Sequence, residues 1–198
     1  MFIGVAVVFL NPAVTLWGAC QASPWRTQHL ECGHRPNLSN SPPAAMIADP
    51  LLRLLHLTGV AVWVGGMFFA YLCLRPVAGS VLEPPPRLRL WRGVFARFFP
   101  WVWASVAAIL LSGGAMMAAT GMAGAPRNWH LMLGIGLVMA GIFCYVWFGP
   151  YRVLGRAVDA QDWPAAGAAL NRIRQAVGTN LVLGLANIAV ATLGRWLA

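Results

Sequence analysis

Hydrophobic residues in this chain run in long unbroken blocks, without the alternation of strands or the spaced stripes of surface helices. No charged residue occurs from Leu54 to Leu74, Phe98 to Pro126, Asn128 to Tyr151 or Gln175 to Gly194. Each block reaches the roughly 20 residues that a helix needs to cross a bilayer. In hydrocarbon every backbone amide needs a partner within its own segment, so blocks of this length are predicted to be helices. Gly65-Gly66, Gly113-Gly114, Gly134 and Gly141 fit that expectation, because small residues let membrane helices approach closely. The pattern predicts an all-α integral membrane four-helix bundle over residues 49–198.

Residues 1–48 differ in character. Met1 to Cys20 is apolar but interrupted by Asn11-Pro12, and it lacks the basic start of a secretory signal. Leu16-Trp17-Gly18-Ala19-Cys20 is only faintly similar to a lipoprotein cleavage site, and Gln21 to Pro43, rich in Ser, Pro and Asn, reads as a linker. Three readings stay open: an additional membrane anchor, a translated extension upstream of a start near Met46, and a cleaved targeting segment.

Composition agrees with a lipid solvent. Hydrophobic residues make up 59% and charged residues 10%, with a mean hydropathy of +0.67, against roughly 25% charged in soluble domains. The net charge of +9 does not point to nucleic acid, because the 14 basic residues are all Arg and most flank the apolar blocks. The first link carries Arg75, Arg87, Arg89, Arg92 and Arg97 against Glu83. The third carries Arg152, Arg156, Arg172 and Arg174 against Asp159 and Asp162, and the second holds only Arg127. The positive-inside rule therefore assigns loops 75–97 and 152–174 to the cytoplasm, and loop 121–128 with the C-terminus to the periplasm. Trp91, Trp101, Trp129, Tyr151 and Trp196 fit an aromatic belt at headgroup depth, with ordinary core packing as the alternative. Glu83-Pro84-Pro85-Pro86 cannot lie inside a helix, which predicts that the second span begins after it, with an amphipathic surface turn around Leu88 to Phe95. Asp162-Trp163-Pro164 predicts a short helix over Ala165 to Arg174, with Asp162 as its N-cap.

Ionisable groups inside membrane helices are costly and point to function. The candidates are His56 early in the first span and His130 at the start of the third. Both belong near the outer face, where two imidazoles from different spans suit copper or haem iron. Met116, Met117 and Met122 end the second span on that side and Met132 follows His130; thioether with imidazole suits soft Cu(I), while methionine also simply fills gaps. His56, Gly59, Val60, Trp63 and Gly66-Met67 share one helical face. His130, Gly134, Val138, Gly141 and Tyr145 make a similar stripe, suited to a helix contact or a flat cofactor. Asn180 and Asn187 share a face of the fourth span and read as hydrogen-bonding glue between helices. His29, Cys32 and His34 have the local spacing of a metal clip, with Cys20 as the only further ligand, and Cys20 and Cys32 can pair in an oxidising compartment. Cys73 and Cys144 read as small apolar residues. No phosphate loop, dinucleotide fingerprint, nucleophile elbow or HExxH motif occurs, and the spans hold no carboxylate, so no residue is given a catalytic role.

Several short motifs follow one another in order along the spans. These are Leu54-Leu55-His56 with Trp63-Val64-Gly65-Gly66, Arg97-Phe98-Phe99 with Ser112-Gly113, Trp129-His130, and Arg172-Ile173-Arg174 leading to Asn180-Leu181-Val182-Leu183-Gly184. Together, over roughly Asp49 to Arg195, they resemble the CopD-type family of small bacterial inner-membrane proteins. That resemblance implies copper uptake or resistance; joined to the residue chemistry above, it gives a reading with His56, His130 and Met116 as metal ligands near the outer face and a periplasmic copper-binding protein as a partner. More distantly the chain is similar to the HemJ-type four-helix proteins, which implies haem b on His56 and His130. Their membrane Lys is absent, with Met132 close to its expected place, which speaks against porphyrinogen oxidation. A non-catalytic membrane scaffold is the third reading.

Overall fold

The computed structural model describes residues 43–194, with side chains from Pro50 onward; Cys20, His29, Cys32, His34 and Trp196 lie outside the described residues. The elements are α1 (Pro43–Phe68), a π-helical segment (Phe69–Leu74), α2 (Arg75–Val81), α3 (Pro84–Thr120), α4 (Arg127–Phe148), α5 (Pro150–Asp159) and α6 (Trp163–Leu193). Among the described residues there is no strand, and four stretches are long and apolar enough to cross a membrane: Pro50–Val81, Pro84–Thr120, Arg127–Asp159 and Trp163–Leu193.

Two expected surface pieces belong to the spans themselves. Pro84 to Pro86 form the first turn of α3, where a missing N–H costs nothing because those donors have no intrahelical partner. The turn expected at Leu88 to Phe95 is the opening of this one continuous helix. Leu88, Trp91 and Phe95 are buried there, because their spacing continues the stripe of Phe99, Val102 and Val106. Likewise the short helix expected at Ala165 to Arg174 is the first part of α6. Asp162 caps it, its Oδ1 accepting from the Ala165 N–H at 3.0 Å. Ala166, Ala169, Leu170 and Ile173 pack inward, and no breaker separates them from the membrane portion. The third span does break, at Gly149-Pro150, where α4 gives way to the amphipathic α5.

Helix α1 packs mainly on α3, and both α4 and α5 pack mainly on α6; α3 and α6 also touch each other. In this bundle α3 and α6 form the short diagonal, with α1 and α4 at the outer corners. Glycine brings α1 onto α3: a Cβ at Gly59 would lie 2.9 Å from Ile109 Cγ1 and 3.1 Å from the Ser105 carbonyl. Towards the arginine-rich end the core is aromatic. Phe95 and Phe99 stack at 5.1 Å, Phe99 meets Tyr151 edge-on at 4.9 Å, and Trp103 meets Phe143 at 5.1 Å. Trp91 and Tyr151 therefore belong to the core and not to the belt, while Trp101 faces outward. Leu111 and Val182 also face outward, as lipid-facing side chains do.

Candidate functional site

His56 lies half-buried in the seam between α1 and α3, on the same face as the buried Trp63 and Met67. Its ring fills the space beside Gly113, where an added Cβ would lie 3.2 Å from His56 Cε1. His56 Nδ1 is 3.0 Å from Ser112 Oγ, and Ser112 is fully buried. The Ser112 hydroxyl has a single proton, which it donates to the Ala108 carbonyl one turn back, with the Ile109 carbonyl also in reach. Ser112 Oγ must then accept from His56, so Nδ1 carries the ring proton and Nε2 keeps its lone pair. An imidazole with one nitrogen fixed by a hydrogen bond and the other free is the arrangement found in metal-ligating histidines.

His130 stands in the first turn of α4 and is exposed. Its Nδ1 donates to the Pro126 carbonyl at 3.3 Å, which likewise leaves Nε2 unprotonated in the neutral ring. The stripe that follows it, Gly134, Val138, Gly141 and Tyr145, is exposed along its length. Among the described residues no helix packs on that stripe: α4 packs instead through Met139, Phe143 and Val146. Lipid is as apolar as a helix interface, so the sequence stripe alone does not distinguish the two faces.

Met116 lies three residues beyond Gly113 and four beyond Ser112, which puts it on the face of α3 that meets His56. It is half-buried, about 4.5 Å further along the helix axis than Gly113. Of the other methionines, Met117 is core, Met122 is exposed and Met132 is partly covered. His56, Met116 and His130 thus share the arginine-poor end of the bundle. The two imidazoles there are held by different partners, His56 by α3 and His130 by its own helix entry.

The opposite end is strongly basic. Arg92 forms a two-pronged ion pair with Asp159, one arm being 2.9 Å from Nη2 to Oδ2. Arg75, Arg89 and Arg152 lie over the rings of Tyr71, Trp163 and Phe148. Ser112 is the residue that sequence reasoning missed as a partner of His56. Its signal was a hydroxyl beside glycine in an apolar run, but which helix it faces depends on packing. Asn187 does act as glue, its Nδ2 reaching the Met132 carbonyl at 3.4 Å. Asn180, read the same way, is buried with no partner for its Oδ1.

Four apolar spans around a small, mostly apolar core define a multi-pass membrane protein. The model of the copper resistance protein D family matches residues 92–193, more than half of the chain, and the protein belongs to that family. His56 and the first span lie outside the matched stretch. No curated protein and no solved structure matches the chain. Family membership gives the protein a connection to copper resistance or handling.

Proposed function

We propose that the protein handles copper at the bacterial inner membrane, in transport or homeostasis, taking Cu(I) as its cargo at the arginine-poor end. His56 Nε2 and the Met116 sulfur provide the first ligands and His130 Nε2 a further one. The observation that carries this reading is the chain from His56 through Ser112 to the Ala108 carbonyl, which presets the ring and leaves one nitrogen free. Imidazole and thioether are a donor set matched to a soft monovalent copper ion. The arginine asymmetry assigns this end to the periplasm, where a copper-binding protein would deliver or receive the ion. Because both rings keep Nε2 free, haem iron is the alternative occupant of the same nitrogens.

Metal analysis and absorption spectra of the detergent-purified protein test both. Copper bound by the wild type and lost in His56→Ala, with a smaller loss in Met116→Leu and His130→Ala, is the expected result. An intense Soret band would assign the histidines to haem. Undiminished copper binding in the double histidine variant, with unaltered copper sensitivity of the cells, overturns the reading in favour of a scaffold.

A further inference from the structure

Three arginines from three elements converge at the arginine-rich end: Arg75 opens α2, Arg87 lies in the first turn of α3, and Arg174 lies in α6. A Cβ on Gly79 would lie 3.9 Å from Arg87 Nη1, and Gly79 is one helical turn beyond Arg75 on the same face of α2. Arg174 is within electrostatic reach of both Arg75 and Arg87. Tyr71 ties the group together. Its ring lies under the Arg75 guanidinium at 4.9 Å, and its edge packs on Gly178, one turn beyond Arg174, where a Cβ would meet the hydroxyl at 3.2 Å.

The three arginines are partly buried, and among the described residues none has a carboxylate partner. Asp159 is taken by Arg92, Asp162 caps α6, and Glu83 is exposed without an ion pair. Arg174 Nε is enclosed and unbonded; the two Nη nitrogens are not enclosed, and they are the donors this side chain presents. Three like charges held together and partly desolvated repel one another and forfeit hydration, and an anion among them relieves both costs. Phosphate fits best, because its oxygens accept the paired N–H groups of a guanidinium. The surroundings point to a lipid as its source. Leu72, Val77 and Val81, on the elements that carry Arg75, are exposed apolar side chains against which acyl chains can lie. Basic pockets between membrane helices bind anionic headgroups in this way. We propose that Arg75, Arg87 and Arg174 bind the phosphate of an anionic phospholipid headgroup, with Tyr71 as the platform that holds Arg75 in place. The site is at the end of the bundle opposite His56, Met116 and His130, and the inference does not depend on copper binding.

Native mass spectrometry of the detergent-purified full chain, titrated with dioleoylphosphatidylglycerol or dioleoylphosphatidylcholine, tests it. The expected result is one saturable site that holds phosphatidylglycerol roughly tenfold more tightly than the zwitterionic lipid. Arg174→Gln and Arg87→Gln should each weaken phosphatidylglycerol roughly tenfold, the effect of one charge-assisted hydrogen bond. Arg172→Gln, which removes an exposed charge from the same helix as Arg174, should leave it unchanged. Equal affinity of the wild type for the two lipids overturns the proposal. A loss in Arg172→Gln as large as in Arg174→Gln overturns it too, because general surface charge then explains the binding. Inorganic phosphate, followed by phosphorus NMR with the same protein, should bind far more weakly than the lipid; equally tight binding overturns the lipid assignment in favour of free phosphate. If Arg174→Gln does not fold, Arg87→Gln and the wild-type comparison decide.

Discussion

The Ser112 hydroxyl works by having only one proton. Given to Ala108, that proton leaves the serine oxygen to accept from His56, and so the tautomer of a histidine on another helix is set by a backbone carbonyl of α3. Ser112→Ala keeps the volume nearly unchanged but releases the ring. Copper affinity should fall roughly 10- to 100-fold, the usual effect of removing a group that orients a ligand, while thermal unfolding in detergent moves little. Asn187 bonds helix α6 to the Met132 carbonyl on α4, and Asn187→Leu should cost roughly 0.6 to 2 kcal/mol in the same unfolding measurement. His56 and His130 stood out in the sequence because a titratable ring in an apolar run is expensive. Their hydrogen-bond partners did not, since one partner lies 56 residues away and the other is a backbone carbonyl. Asn180 was visible as a buried amide, yet whether it meets a partner is decided by the rings around it.

Among the elements, local chemistry was legible and continuity was not. Asp162 as an N-cap follows from three adjacent residues, and Asp162→Ala should lower stability by about 1 kcal/mol, read as a fall in the unfolding temperature of the purified protein. The triple proline marked where the second span begins, but the stretch after it, expected as an amphipathic surface turn, is buried helix at the opening of α3. The buried stripe from Leu88 to Phe99 explains why the helix runs through. The π-helical segment has no sequence signature of its own: Phe69 to Leu74 reads as an ordinary apolar run, and its register shift shows in the bond from the Arg75 N–H to the Ala70 carbonyl. The seam between α1 and α3 depends on Gly59 lying against Ile109 and Ser105. Gly59→Leu should separate the two helices, costing roughly 1 to 3 kcal/mol by overpacking and weakening copper binding with it. The Arg92–Asp159 pair, by contrast, is largely exposed, and Asp159→Ala should change the unfolding temperature hardly at all.

At the scale of the whole molecule, the two ends of the bundle differ sharply. Nine arginines (75, 87, 89, 92, 97, 152, 156, 172 and 174) belong to the end formed by α2, α5 and the starts of α3 and α6. The end that carries His56, Met116 and His130 has Arg53 and Arg127 among the described residues. In a cysteine-free background, Ala160→Cys should be shielded from an impermeant thiol reagent in intact cells and Ala123→Cys should react. The reverse labelling would turn the proposed copper entry towards the cytoplasm. Chain order and apolar length were enough to determine four membrane-spanning helices, because a backbone in hydrocarbon has to satisfy its own hydrogen bonds, whatever it packs against. The choice of face on each helix was left to tertiary structure. Lipid and protein interior are equally apolar, so no hydrophobic pattern could say that Met139 and Phe143 turn inward while Val138 and Tyr145 turn out. Only the close approach of glycine-lined helices decided that His56 meets Ser112.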